Sequence, residues 1–150
     1  MRLFSERIVD ETPELHEQGV RMRFIGRREG VSKKLAKQMD WAEEPTAAND
    51  RITLFVAFNY GGRAEILDAA ERYTGGGEEA FRNLLYAPEM HDPDLIIRTS
   101  GERRLSNYLM WQSAYSELVF RDELWPDFTR EAFEAALEEY EARQRRFGGR

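Results

Sequence analysis

The chain has no cysteine and only two histidines among its 150 residues. The absence of cysteine excludes disulfides and thiolate metal sites and is compatible with the cytosol. Long apolar runs are also missing, since the longest candidate, Ile52–Phe58, is far too short to cross a membrane. No signal-peptide pattern is present. With 22 basic against 28 acidic residues, the balance argues against a general nucleic-acid-binding protein.

The remaining composition, 41% hydrophobic and 33% charged, is typical of one folded domain with a real core. Strand-like segments are Val20–Ile25, Ile52–Phe58, Asp94–Arg98 and Glu117–Phe120. Helical patterns cover the first 17 or so residues, Lys33–Glu43, Arg63–Tyr73, Glu78–Leu85, Ser106–Glu117 and a stretch from about Arg130 to Arg146. This alternation predicts an α/β fold with a mostly parallel sheet flanked by helices. Ile52–Phe58 is nearly all apolar, so we expect it to be covered on both faces.

The richest segment for chemistry runs from Arg98 to Asn107, Arg-Thr-Ser-Gly-Glu-Arg-Arg-Leu-Ser-Asn. A strand ends in Arg98, a Thr-Ser-Gly turn follows, and Ser106 is placed to open a helix. Backbone N–H groups in such a turn and at a helix start, together with arginine side chains, are typical of a socket for a phosphate-rich ligand. The alternative interpretation is a capped helix whose arginines pair with Glu102 and nearby acidic residues. Residue chemistry alone does not decide between this helix and the phosphate site.

The segment from Arg98 to Asn107, followed by Trp111-Gln112, Tyr115 and Glu117, resembles the signature of the cis-prenyltransferases. Further motifs of that family occur in the same order, at Asn59-Tyr-Gly-Gly-Arg63, Leu124-Trp-Pro-Asp-Phe128 and Arg145-Arg-Phe-Gly-Gly149. The resemblance covers essentially the whole chain. It implies a Mg²⁺-dependent prenyltransferase that condenses isopentenyl diphosphate with an allylic diphosphate, expels pyrophosphate and makes a polyprenyl diphosphate of the undecaprenyl lipid-carrier type.

The resemblance also implies roles for individual residues. Arg98 and Arg104 match the positions that grip the diphosphate of isopentenyl diphosphate, with Ser106 as a third ligand and the Leu105 backbone between them. Glu117 matches a carboxylate that helps to hold Mg²⁺. Arg103 stands at a variable position and is expected to act only electrostatically or at the surface.

The tail residues Arg146 and Gly148 match a C-terminal Arg-x-Gly element that reaches across a dimer into the partner's active site. Their alternative is a basic helix end that complements its own dipole, with Gly148 as the stop.

One expected part is missing. Family members begin with a strand and an Asp-Gly-Asn loop that binds Mg²⁺ and the allylic diphosphate, whereas this sequence contains no Asp-Gly dipeptide. The resemblance therefore implies that residues 1–150 are the C-terminal portion of a single cis-prenyltransferase domain, with no catalytic residue of that loop. We expect such a chain to be inactive in prenyl transfer and poorly soluble or partly unfolded when purified alone.

The resemblance further implies a homodimer in the cytoplasm, working at the membrane periphery because its product is membrane-associated. A second interpretation is a non-catalytic subunit that donates its Arg-x-Gly tail to another synthase. The retention of Arg98, Arg104, Ser106 and Glu117 together argues against it, because a purely donating subunit would not need them. A generic phosphate-binding α/β module is a third interpretation, and it leaves the order of the motifs unexplained.

Overall fold

The computed structural model describes residues 2–143, which divide into two compact units that meet in sequence at Tyr60 and Gly61. The first unit contains α1 (Arg2–Glu17), β1 (Val20–Ile25), α2 (Lys33–Thr46) and β2 (Ile52–Ala57). The second contains α3 (Gly62–Ala70), α4 (Gly77–Arg82), β3 (Leu95–Arg98), β4 (Glu117–Phe120), a 3-10 turn (Trp125–Asp127) and α5 (Arg130–Glu141). Both strand pairs are parallel, which confirms the predicted α/β class. Within residues 2–143, no helix is long and apolar enough to span a bilayer.

The first unit is built around the β1–β2 pair, whose register runs from Val20 opposite Ile52 to Ile25 opposite Ala57. Its core consists of apolar side chains from α1, β1 and α2, namely Ile8, Met22, Phe24, Leu35, Met39 and Ala42. The helix boundaries follow local signals. Gly19 has a φ of +75° just after α1, and the Ser32 hydroxyl caps α2 by accepting a hydrogen bond from the Leu35 N–H at 3.3 Å.

The prediction that the second strand is covered on both faces is wrong. Ile52 is 60% exposed and Leu54 is 40% exposed. Both helices of the unit make their main strand contacts with β1, and Val56 of β2 packs against the core that they share. Within the described range, β1 is the one strand that pairs with β2. Apolar composition therefore marks β2 as a strand but does not guarantee a cover for it.

The outer edge of β1 is sealed by side chains from α2 and the loop after it. The Met22 N–H donates to Thr46 Oγ1 at 3.1 Å, and the Phe24 N–H donates to Glu43 Oε1 at 2.6 Å. Asn49 Nδ2 completes the edge by donating to the Val20 carbonyl at 2.8 Å. Because these groups are already paired, this edge offers little to another strand.

The second unit is built around β3 and β4, with Leu95 opposite Glu117 and Arg98 opposite Phe120. The first turn of α3 carries the buried carboxylate of Glu65, which is 1% exposed. That carboxylate accepts hydrogen bonds from the Tyr86 N–H at 3.0 Å and from Gln112 Nε2 at 3.1 Å. Glu65 thus ties α3 to the chain after α4 and to the chain before β4.

The predicted helix Ser106–Glu117 is wrong, and consecutive turns occupy that segment. Ser106, Asn107 and Leu109 have φ angles of +50°, +66° and +44°, which a right-handed helix excludes. The turns bring the Asn107 carbonyl to the start of α3, where it accepts the Gly62 N–H at 2.7 Å. A tertiary contact therefore determines a conformation that the apolar spacing alone does not indicate.

Candidate anion-binding site

A cavity of about 260 Å³ opens at the carboxyl ends of β3 and β4. It is lined by residues of both strands and of the loop after β3: Ile96, Ile97, Arg98, Thr99, Arg104, Leu105, Tyr108, Leu118 and Phe120. Its volume lies near the lower bound of about 300 Å³ that is typical of small-molecule sites. In α/β folds, ligands bind at this end of the strands.

The cavity has an apolar part and a cationic part because of the strand register. Side chains two residues apart share a face, so Ile96 lies beside Arg98 on β3. The register places Leu118 opposite Ile96 and Phe120 opposite Arg98 on β4. The four side chains therefore share one face of the strand pair, which is apolar except for the arginine at its carboxyl end. This pattern suits a small ligand with an anionic head and an apolar body.

Arg98 is the cation most clearly prepared for a ligand. Its Nε atom is buried and has no hydrogen-bond partner among the residues that the structure describes. A buried N–H without an acceptor is costly, and such atoms in native proteins call for an explanation. An anion bound in the cavity would supply the missing acceptor.

Arg104 also lines the cavity, but it already has a partner. Its guanidinium forms an ion pair with the Glu102 carboxylate, and its side chain is 68% exposed. The alternative interpretation, in which the arginines of this segment pair with Glu102, therefore holds for Arg104. Such an exposed pair is worth about 0.2–1 kcal/mol, so a diphosphate can displace Glu102 at small cost.

Of the other two residues predicted to contact the anion, one lines the cavity and one does not. Leu105 lines the cavity, whereas Ser106 is exposed and is not among the lining residues. Two N–H groups of the turn after β3 bond to carbonyls of the protein. The Ser100 N–H donates to the Glu123 carbonyl at 2.8 Å, and the Gly101 N–H donates to the Arg121 carbonyl at 2.9 Å. The candidate anion site therefore relies on side-chain cations.

Two ionisable side chains in or near the cavity have shifted pKa values. Burial raises the pKa of the Tyr108 hydroxyl above its ordinary value of 10.0, so this lining residue is neutral at physiological pH. In the segment that follows β4, a hydrogen bond from Arg121 lowers the pKa of the Glu123 carboxyl below its ordinary value of 4.5. The two side chains also form an ion pair at 2.9 Å, which fixes the chain that holds Ser100 and Gly101.

Glu117, the predicted Mg²⁺ ligand, begins β4, and its carboxylate is held by an arginine. Its Oε2 atom lies 2.9 Å from Arg143 Nη1, and Arg143 also donates to the Leu118 carbonyl at 2.9 Å. This contact and a second one to Glu139 raise the pKa of the Arg143 guanidinium. Among residues 2–143, no three acidic, histidine or cysteine side chains are close enough to hold a metal ion. The described residues alone therefore do not make a complete magnesium site.

Asn59 and Arg63, the two ends of one of the family motifs, belong to different units. In the first unit, Asn59 Nδ2 donates to the carbonyls of Arg27 and Glu29, both at 3.0 Å, so the Asn59 side chain organises the loop after β1. In the second unit, the Arg63 N–H donates a hydrogen bond of 2.8 Å to Asn107 Oδ1.

The remaining predicted site residues, Arg146 and Gly148, lie outside the described residues. Conversely, sequence reasoning missed several lining residues, including Ile96, Leu118, Phe120 and Tyr108. The signal that could have found the first three is the period-two alternation around Arg98 on two paired strands. The position of Tyr108 had no such signal, because it depends on the turns after Ser106.

The fold and the site together define an α/β protein with parallel strands and a cationic cavity at their carboxyl ends. Residues 1–148 match the family model described as "Putative undecaprenyl diphosphate synthase". The chain therefore belongs to the undecaprenyl diphosphate synthase family, and its resemblance to cis-prenyltransferases is confirmed.

Named relatives agree with this assignment. The chain is 53% identical over 158 residues to the isoprenyl transferase of Thermotoga maritima, covering 99% of the chain and 68% of that protein. It is 48% identical to the isoprenyl transferase of Fusobacterium nucleatum, covering 99% and 66%. The chain thus spans about two thirds of the length of these curated relatives.

Solved structures match over nearly the whole chain. One is a lavandulyl diphosphate synthase from Lavandula x intermedia in complex with dimethylallyl diphosphate. The TM-score is 0.94 and the identity is 30%, with 99% of this chain and 70% of that chain covered. Another is described as a probable undecaprenyl diphosphate synthase from Campylobacter jejuni. Its TM-score is 0.90 and its identity is 31%, with coverages of 99% and 72%.

Proposed function

We propose that this chain provides the isopentenyl-diphosphate-binding part of a cis-prenyltransferase. The observation that carries the proposal is Arg98, whose buried Nε has no partner among the described residues, at the cationic end of an otherwise apolar cavity. Isopentenyl diphosphate has the matching chemistry, with a dense anionic head on a short branched hydrocarbon. Family membership supports this choice over a nucleotide or a sugar phosphate, whose polar bodies would bury hydroxyl groups against Ile96 and Leu118.

The roles of the individual residues follow from their positions. Arg98 and Arg104 bind the diphosphate oxygens, and Arg104 exchanges its ion pair with Glu102 for the ligand. The apolar face of β3 and β4 holds the hydrocarbon and excludes water from it. Fixing both ends orients the alkene toward the allylic carbon, from which pyrophosphate is expelled during the condensation. Ser106 remains a contact proposed from the family resemblance, because its exposed side chain is not among those that line the cavity.

The wider features of the proposal come from the family. Glu117 could give one oxygen to Mg²⁺, which typically takes one or two carboxylates together with substrate phosphates and water. In the structure this carboxylate is paired with Arg143, which it would have to exchange for the ion. A homodimer, an undecaprenyl-type product and a cytoplasmic location are proposed on the same basis, with Arg146 and Gly148 as candidate contacts to a partner's site.

Calorimetric titration of the 150-residue chain with isopentenyl diphosphate tests the proposal, using an Arg98→Met variant. Arg130→Met is the matched control, because that side chain is 84% exposed and forms its ion pair with Glu134 one helical turn away. Losing charge-assisted hydrogen bonds worth about 1.5–3 kcal/mol each should weaken binding by at least about 10-fold. Equal affinity of the wild-type chain and the Arg98→Met variant would overturn the proposal. Radiolabel incorporation with an allylic diphosphate then tests whether the chain alone also catalyses condensation.

A further inference from the structure

Asn107 joins the loop of the anion site to the start of α3 through two hydrogen bonds. Its carbonyl accepts the Gly62 N–H at 2.7 Å, and its side-chain Oδ1 accepts the Arg63 N–H at 2.8 Å. Helix starts carry orphan N–H groups that usually bond a side chain of the preceding residue. Here the preceding residue is Gly61, which makes no side-chain cap. Asn107, more than 40 residues away in sequence, caps the helix instead.

The contact is close enough to require glycine on the helix side. A Cβ atom on Gly61 would lie 2.8 Å from Asn107 Nδ2. A Cβ atom on Gly62 would lie 2.7 Å from Met110 Cγ and 2.9 Å from the Met110 backbone nitrogen. The second clash involves backbone, which cannot swing away. The absence of side chains at Gly61 and Gly62 therefore allows the 107–110 turn to approach the helix closely.

Asn107 also determines the shape of the loop that carries Arg104 and Leu105. Asn107 has a φ of +66°, and its neighbours Ser106 and Leu109 have φ angles of +50° and +44°. Asparagine tolerates this region, whereas a residue such as leucine adopts it at a cost of about 1–2 kcal/mol. Such strain persists only where surrounding contacts determine the conformation. The two bonds to α3 are such contacts, and they lie three residues from Arg104.

We propose that Asn107 is a positioning residue for isopentenyl diphosphate. By capping α3 it holds the 104–109 loop in the conformation that places Arg104, Leu105 and Tyr108 around the ligand. The inference rests on the proposed function. It goes further by assigning a role in that site to a residue that does not line the cavity.

Three variants separate the contributions of Asn107. Asn107→Ala removes the side-chain acceptor and disfavours the positive φ. Asn107→Gly keeps the positive φ and removes the acceptor, while Asn107→Asp keeps both. Asn83→Ala is the matched control, because Asn83 is exposed and has an ordinary φ of −66° at the end of α4. The Kd for isopentenyl diphosphate is measured by calorimetry at about 0.15 M salt, which screens the added charge of the aspartate. Hydrogen exchange at the Arg63 amide reports the cap itself.

The expected result is a Kd raised about 10-fold in Asn107→Ala and less in Asn107→Gly, with Asn107→Asp within about 3-fold of wild type. The Arg63 amide should exchange faster in the first two variants and be protected again in the third. If Asn107→Ala leaves the Kd within about 3-fold of wild type, Asn107 acts on stability alone and the inference is overturned, while the Arg98 result still supports the proposed function. If the wild-type chain binds no isopentenyl diphosphate, the proposed function fails and this inference fails with it.

Discussion

The sealed edge of β1 gives a quantitative prediction, because one buried side chain satisfies one buried backbone group. Thr46 is fully buried, and its hydroxyl accepts the Met22 N–H at 3.1 Å while donating to the Ala42 carbonyl at 2.8 Å. Replacing Thr46 by valine exchanges the hydroxyl for a methyl group of similar size and keeps the branched side-chain shape. The change therefore leaves no cavity, and its effect reports the unpaired N–H of Met22.

The expected loss is about 1–3 kcal/mol of unfolding free energy, the cost of leaving a buried donor without an acceptor. For a chain of this size, each kcal/mol corresponds to about 2–4 °C in Tm. A central value of about 2 kcal/mol therefore predicts a fall of about 4–8 °C. Helix propensity contributes little, because valine and threonine are nearly equal in that respect.

Urea unfolding followed by circular dichroism measures this loss, with Thr53→Val as the matched control. Thr53 lies half-buried on β2, where a β-branched apolar residue is equally suited to the strand. The control should stay within about 0.5 kcal/mol of wild type. If Thr46→Val and Thr53→Val cost the same, Thr46 does not seal the strand edge and the reasoning fails.

Two further predictions concern carboxylates near the cavity. Glu102→Gln removes the partner of Arg104, and it should tighten isopentenyl diphosphate binding about 1.5–5-fold in calorimetry; weaker binding would contradict the exchange of partners. Glu123 has a folded-state pKa below 4.5, so its stabilising contribution is present above that pH and is lost as the pH falls through the lowered value. Glu123→Gln should therefore flatten the loss of unfolding free energy as the pH falls below the ordinary glutamate value of 4.5, and an unchanged slope would refute its coupling to Arg121.

Features governed by local chemistry were predictable from the sequence. The strands Val20–Ile25 and Glu117–Phe120 occur as expected, and Ser32 caps the second helix. Gly19 adopts a positive φ just after the first helix, where glycine is the favoured residue. Each of these features needs information from only a few neighbouring residues. The position of Arg98 at a strand end follows in the same way, because a β-branched run stops there.

Features that depend on tertiary contacts were not predictable. The turns after Ser106 replace a helix because Asn107 caps α3, and no window around Ser106 contains α3. The N–H groups of Ser100 and Gly101 bond carbonyls 23 and 20 residues away rather than a ligand. In the second case, N–H groups that looked available to an anion are already satisfied by the protein. Sequence therefore located the candidate site but overstated its backbone donors.

The contact between Glu117 and Arg143 is a further case in which magnitudes decide between two roles. Their side chains are 29% and 32% exposed, so the pair lies close to the surface regime, where an ion pair is worth about 1 kcal/mol or less. Leaving Arg143 without Glu117 is inexpensive, because its guanidinium also contacts Glu139 and the Leu118 carbonyl. The ion pair thus stabilises the end of α5 against the start of β4 without committing the Glu117 carboxylate permanently. A carboxylate held this weakly can exchange Arg143 for another cation, such as the proposed Mg²⁺, at small cost.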